Sequence, residues 1–268
     1  MKKEQVVGIT QKIVRYQDKS DNIYYGIMEG NTIHQLASGF AEMAEGTFTC
    51  DGTTVAIDEV EILVPVEPSK VVNFGWTFAG HAKETGGEAD RKEPFLFLKP
   101  LSALIANKKT ICLPPRRMTD RVELEGEVAL IIGKSGKNIK EEDALDYVFG
   151  YTVFNDVTAR DLTKTDPQFT RGKGFDTFGP IGPCITTGID PNNLRIVTTL
   201  NGNVVQDGNT NEMSLGIPFL ISWISEVMTL EPGDVLALGS PSGSCPMKSG
   251  DVVTVEVEEI GKLTNFVA

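Results

Sequence analysis

Residues Arg121–Lys134 read RVELEGEVALIIGK. Three glutamates, Glu123, Glu125 and Glu127, stand at alternate positions directly before an apolar run, Val128–Ile132. A short run of branched aliphatics reads as a buried strand. Side chains alternate across a strand, so the three carboxylates are expected on one face. Like charges gathered at the edge of a core repel one another and are costly to desolvate. A divalent cation removes that cost, and an all-oxygen ligand set suits Mg2+, Mn2+ or Ca2+ rather than zinc. A water-facing strand with solvated glutamates fits the same segment equally well.

Outward from this stretch the chain is rich in strands. Before it, Val6–Tyr16, Ile23–Met28, Thr32–Leu36 and Thr53–Val64 carry alternating apolar positions, separated by polar turns, with a short helix at Ser38–Glu45. Pro65–Lys70 (PVEPSK) marks a boundary, so the expected organisation is a small β-rich unit over 1–65 and a larger one over 66–268. In the larger unit Phe95–Lys99, Phe149–Asn155, Ile181–Thr186, Ile196–Leu200, Val235–Leu238 and Val252–Val257 read as strands. Asn201-Gly202 is a hairpin turn signal. Helical patterns are few: Glu141–Asp146, a turn near Ala159–Leu162, and Pro218–Val227, with an apolar stripe of Phe219, Leu220, Trp223, Ile224 and Val227. The expected class is α+β, predominantly β, and not a doubly wound sheet.

Composition narrows the function. The 27 Gly and 14 Pro of the 268 residues agree with a turn-rich β fold. A net charge of −12 argues against nucleic-acid or anionic-membrane partners. Cys50, Cys112, Cys184 and Cys245 are too widely spaced for a zinc signature and read as reduced thiols of a cytoplasmic protein. No apolar run approaches the roughly 20 residues of a membrane span, and MKKEQVVGITQKIV lacks the apolar core of a secretory signal.

Four further segments carry polar groups of interest. His81 and Glu84 lie three residues apart in FAGHAKETGGEADRKE, where a helical turn would pair imidazole with carboxylate as a general base. An incidental surface histidine is the competing reading. The Gly-rich, charged composition predicts a lid over residues 77–92, open without ligand. Asp156 ends the apolar run YVFGYTVFND, 29 residues after Glu127, a gap that lets the two strands pair. It is placed either to ligate or to cap the next turn. Lys173 in RGKGFDTFGPIGP either reaches a pocket to hold an oxyanion or sits solvated in a loop. The loop of GDVLALGSPSG presents backbone N–H groups suited to a carboxylate, or is a plain turn. Neither a phosphate-binding loop nor a nucleophile elbow is present: Val128 and Pro241 occupy the deciding positions.

Taken in order, ELEGEVALIIGK, GYTVFNDVTARD, GKGFDTFGPIGP, NGNVVQDGNTNEM, FLISWISEVMTLEPGDVLALGSPSG and GDVVTVEVEEIGKLTN resemble the fumarylacetoacetate hydrolase family from about Val64 to the C-terminus. The resemblance implies a fold of layered mixed sheets, a homodimer, and Mg2+ or Mn2+ held by Glu125, Glu127 and Asp156, with Glu123 as an additional acid. It assigns the lid dyad to His81 and Glu84 and the catalytic lysine to Lys173. Substrate contacts fall to Thr210, to Arg160 in the TARD segment, and to Ser240 in LGSPSG, where the family usually has Thr. The segment before His81 departs too, with Thr77 and Gly80 in place of Asn and Asp. Implied substrates are small 2-oxo or β-diketo acids, and the implied reaction is hydrolytic C–C cleavage of acylpyruvates or fumarylpyruvate. Oxaloacetate decarboxylation and isomerisation, tautomerisation or dehydration of 2-oxo acids are alternatives on the same site. A non-catalytic oxo-acid binder is disfavoured by the presence of both the carboxylates and the dyad.

Overall fold

A computed structural model of the protein describes residues 10–88 and 91–268. The expected strand start at Val6 lies outside these; the strand is observed as Lys12–Gln17. Among the described residues a 12-stranded mixed sheet dominates. Its main path runs Cys50–Ala56, Thr32–Leu36, Ile23–Glu29, Lys12–Gln17, Gly179–Thr186, Val148–Asn155, Gly126–Ile132, Val235–Ala237, Val71–Gly75 and Phe95–Lys99. Lys12–Gln17 pairs with the end of Gly179–Thr186, so hydrogen bonding continues across the Pro65–Lys70 segment. A five-stranded sheet, including Arg195–Leu200, Asn203–Asn209, Val252–Val257 and Gly261–Val267, forms a second layer.

The middle of the large sheet is where the deciding stretch lies. Every residue of Gly126–Ile132 is buried. Val128, Leu130 and Ile132 pack into one apolar cluster and Ala129 and Ile131 into another, so both faces are covered. That explains the unbroken apolar run: a strand buried on two sides has no polar alternation. Asn201 and Gly202 both have positive φ, 53° and 80°, and close the expected hairpin between Arg195–Leu200 and Asn203–Asn209.

Three expectations change in detail. Thr53–Val64 is not one strand: Cys50–Ala56 ends in a 3-10 turn, Ile57–Glu59, before the short Glu61–Ile62. The helix Ile217–Val227 turns Ile217, Leu220, Ile221 and Ile224 inward and leaves Val227 52% exposed. The buried stripe is rotated from the expected one because Ile217–Ile224 is apolar on nearly every side. The three glutamates do not share one strand. Val122–Glu123 pairs with Thr158–Ala159 in a separate two-stranded ribbon, and the large sheet resumes at Gly126.

Candidate metal centre

Strand pairing brings the acids together. Gly126 stands opposite Asn155, so the beginning of one strand adjoins the end of its antiparallel neighbour. Asp156 N–H donates to Glu125 O at 2.8 Å, and Glu125 N–H to Asn155 Oδ1 at 3.0 Å. These bonds carry the register past the sheet. Oxygens of Glu125, Glu127 and Asp156 thereby come within 4.8 Å of one another, and all three residues are buried. Glu127 is steadied from the loop that follows the next strand, Val235–Ala237, where Gly239 N–H donates to its Oε2 at 2.9 Å. Gly239 has φ +96°, and a Cβ there would lie 2.0 Å from Thr77 Oγ1, so only glycine brings this N–H to the carboxylate. The Gly/Ser loop does hold carboxylates, and they are the protein's own: Gly243 N–H donates to Glu84 at 3.1 and 3.2 Å.

Bases surround these acids. Lys173, from the short helix Thr170–Lys173, places Nζ 2.7 Å from Glu125 Oε2 and in contact with Asp156 Oδ2. Burial draws its pKa down, but the Asp156 and Glu125 carboxylates outweigh burial and the net shift is upward. Arg160 Nε donates to Glu123 Oε2 at 2.6 Å, and its guanidinium also contacts Glu125. Glu123 is further held by Arg121 at 2.5 Å and Ser244 at 2.8 Å, so Arg160 links it to the acid group from one side. Glu125 is held well below the usual carboxylate range: Lys173, Arg160 and His81 override its burial.

Lys99 is a functional candidate that sequence reasoning passed over. At the end of Phe95–Lys99 its Nζ donates to three backbone carbonyls: Val157 at 3.0 Å, Lys173 at 2.6 Å and Phe178 at 2.7 Å. The same atom lies 2.8 Å from Asp156 Oδ1. Burial pulls its pKa down to about 8 against the attraction of Asp156. An apolar-flanked lysine ending a strand, as in FLFLK, was the available signal.

The donor set fits a divalent cation. Glu127 forms no ion pair among the described residues, and burial, then Asp156 and Glu125, push its pKa well above the usual value. Asp156 Oδ1 meets Lys99 off the hydrogen-bonding direction and has no hydrogen-bond partner. A buried acid without a cation and an orphaned carboxylate oxygen beside it are both satisfied by a hard cation.

The segment expected to be an open lid is closed. Ala79–Thr85 is a helix, and His81 is 5% exposed. Its Nδ1 lies 3.4 Å from Glu84 Oε2 and its Nε2 3.5 Å from Glu125 Oε1. Burial lowers the imidazole pKa, but Glu125 and Glu84 raise it more. The bonds from Gly243 to Glu84 account for the closed position; Ala89 and Asp90 lie outside the described residues. Ser240 lines the cleft, accepting from Gln206 at 2.8 Å and donating to Gly126 O at 2.9 Å. Thr210 is not brought to the cleft lining. Its hydroxyl accepts from Leu194 N–H at 2.8 Å, which extends the pairing of Arg195–Leu200 with Asn203–Asn209. The cavity within the cleft has a volume of about 20 Å3. A larger cavity of about 490 Å3 lies elsewhere, beside Val14, Ile57 and Pro183, and gathers none of these residues.

Residues 70–268 match the fumarylacetoacetate (FAA) hydrolase C-terminal family. The chain belongs to that family. Residues 11–65 match the Rv2993c-like N-terminal family. The human mitochondrial oxaloacetate tautomerase FAHD2A is 38% identical over 256 residues, 88% of this chain and 81% of that protein. A crystal structure of a 5-carboxymethyl-2-hydroxymuconate delta-isomerase from Mycobacterium smegmatis superposes with a TM-score of 0.88 at 35% identity, covering 96% and 99% of the two chains. Maleylpyruvate hydrolase from Sphingobium sp. SYK-6, solved with manganese(II) and pyruvate, gives 0.78 at 28% identity, covering 96% and 98%. Relatives thus span hydrolase, isomerase and tautomerase names, and the layered α+β fold is that of the family. No helix among the described residues is long and apolar enough to cross a membrane.

Proposed function

We propose that this protein is a divalent-metal-dependent hydrolase that cleaves a C–C bond in acylpyruvates or fumarylpyruvate-type β-diketo acids. The observation that carries the reading is the position of His81, between Glu84 and Glu125 at the edge of the acid group. Glu125, Glu127 and Asp156 would hold the metal, which, when bound, supplies Lewis-acid polarisation of the 2-oxo acid. A cation on Glu125 would offset the carboxylate charge that raises the imidazole pKa. His81, oriented through Nδ1 by Glu84, takes a proton from water at Nε2. The hydroxide adds to the distal acyl carbon, the bond to the methylene carbon breaks with its electron pair leaving as the enolate of pyruvate, and the proton held at His81 Nε2 returns to that carbon, giving a carboxylic acid and pyruvate. Lys173 is the cation placed to receive developing oxyanion charge. Arg160 serves to fix Glu125 and, through it, the approach of His81.

The test is turnover of acetylpyruvate, fumarylpyruvate and oxaloacetate with added Mg2+. Pyruvate and acetate released from acetylpyruvate, and lost on chelation, is the expected result. Absence of pyruvate from both acylpyruvates would overturn the reading. Oxaloacetate tautomerisation is the second reading, favoured by the human relative's name. It needs only proton transfer by His81 at the methylene carbon, and would be read as loss of enol absorbance without pyruvate formation. The assembly we propose is a homodimer, giving a solution mass of twice the 29.1 kDa chain.

A further inference from the structure

The cleft has two unlike sides. One is the acid group with its bases. The other is aromatic: Trp76, Phe97 and Phe169 line it, with Phe95 packed behind. Ring centroids lie 5.0 Å apart for Trp76–Phe95, 4.4 Å for Phe95–Phe169 and 5.8 Å for Trp76–Phe169. Trp76, Phe95 and Phe169 are only half-buried, so they form an apolar lip on a charged cleft. Nothing in the chemistry above uses this wall.

Trp76 is held in place from several directions. Its φ is +60°, a left-handed conformation uncommon for a bulky residue, which persists only where the surroundings impose it. The backbone at Gly87 crosses the indole so closely that a Cβ there would lie 2.5 Å from the ring. The Arg91 guanidinium sits 5.5 Å from the ring centroid. The indole Nε1–H donates to Thr85 Oγ1 at 3.0 Å, and Thr85 Oγ1 donates to the His81 carbonyl at 2.8 Å. One side chain therefore bounds the cleft and latches the helix that carries His81.

On the reading that the cleft binds a 2-oxo acid, we propose that Trp76 is a specificity-determining residue that admits short acyl substituents and excludes bulky ones. A substrate anchored at the acids must direct its remaining substituent along the cleft. The polar side is filled by Lys173, Arg160 and His81, which leaves the aromatic side. With the Gly87 backbone packed against the indole, the ring has no room to yield in place, and a bulky group has to displace it. That displacement breaks the bond to Thr85, so bulk costs turnover as well as affinity.

The test compares acetylpyruvate with benzoylpyruvate in the full-length protein with Mg2+. In Trp76→Ala the ratio of kcat/KM, benzoylpyruvate over acetylpyruvate, should rise at least about tenfold, the scale of a changed pocket wall. In Thr85→Val, where the wall stays and the latch is lost, the ratio should hold while kcat falls for both. A Trp76→Ala ratio within twofold of the parent overturns the proposal; Trp76→Leu replaces it should the alanine variant not fold. A second readout is independent of turnover. The chain has two tryptophans, so Trp223→Phe leaves Trp76 as the sole reporter. Phenylpyruvate, a 2-oxo acid with a bulky substituent, should change its emission when it binds with Mn2+. Phenylpyruvate binding seen by calorimetry with unchanged emission sinks the specificity role and leaves the functional reading standing. No binding of either phenylpyruvate or oxalate sinks both.

Discussion

The acid floor and its roof are built by different means. The floor stands on three neighbouring strands of the central sheet, and each of its carboxylates is held by backbone or by buried bases. The roof is a helix of seven residues, Ala79–Thr85, fixed through Glu84, Thr85 and the half-buried Trp76. Precision of charge placement comes from a sheet whose faces are both packed. Adjustability comes from a short element held by a few polar bonds, which open at low cost. The floor is thus suited to a fixed ligand and the roof to one that enters and leaves.

Substitutions on the two sides should behave differently. The largest effect is expected in the floor. Asp156→Asn keeps the shape and removes the charge, and Mn2+ affinity, measured by calorimetry, should fall more than about 100-fold, beyond the loss typical of residues that only support a ligand. All turnover should go with it. Unchanged Mn2+ binding would show that the three acids are not the metal site. His81→Ala in the roof should leave Mn2+ binding intact and lower hydrolysis of acetylpyruvate by about 10²–10⁴. Metal-promoted decarboxylation of oxaloacetate, which needs no attacking water, should survive in the same preparation. Equal loss of both activities would mean that His81 does more than activate water.

Beneath the floor, Lys99→Met strips the partner from Asp156 and from three carbonyls. Breaking a buried pair of this kind costs about 3–5 kcal/mol, which should appear as a lower urea midpoint. A midpoint equal to the parent's would remove Lys99 from the account. The smallest effect is expected on the exposed surface. The Arg195–Asp207 pair, 2.6 Å apart with side chains 60% and 47% exposed, lies in solvent. Asp207→Asn should leave the urea midpoint and the kinetics unchanged.

The same contrast governs what could be read from the sequence. The strands of the central sheet are apolar runs of the right length, and Phe95–Lys99 and Val252–Val257 coincide with their expected bounds. Asp156 and Glu127 adjoin because their strands are consecutive partners, an adjacency that spacing alone suggests. Glu123 was harder, since the break after it depends on pairing with Thr158–Ala159, a contact with no local signal. Lys99 was missed because its partners come from residues 156–178, distant in sequence. The closed helix was missed for a related reason. Its composition is that of a mobile loop, and the groups that hold it, Gly243 and Trp76, lie outside it.

The lysine beneath the acids belongs to a strand at the margin of the large sheet, since among the described residues Phe95–Lys99 pairs only with Val71–Gly75 there. Margins are where sheets exchange amide protons first and where other chains add on. Here the margin is wired to the centre. Peeling that strand away withdraws the ammonium from Asp156 and from the carbonyl of Lys173 in one movement. Breathing of this border and disassembly of the acid group are therefore a single event, and the exchange rate of the amides of residues 95–99 reports on the integrity of that group.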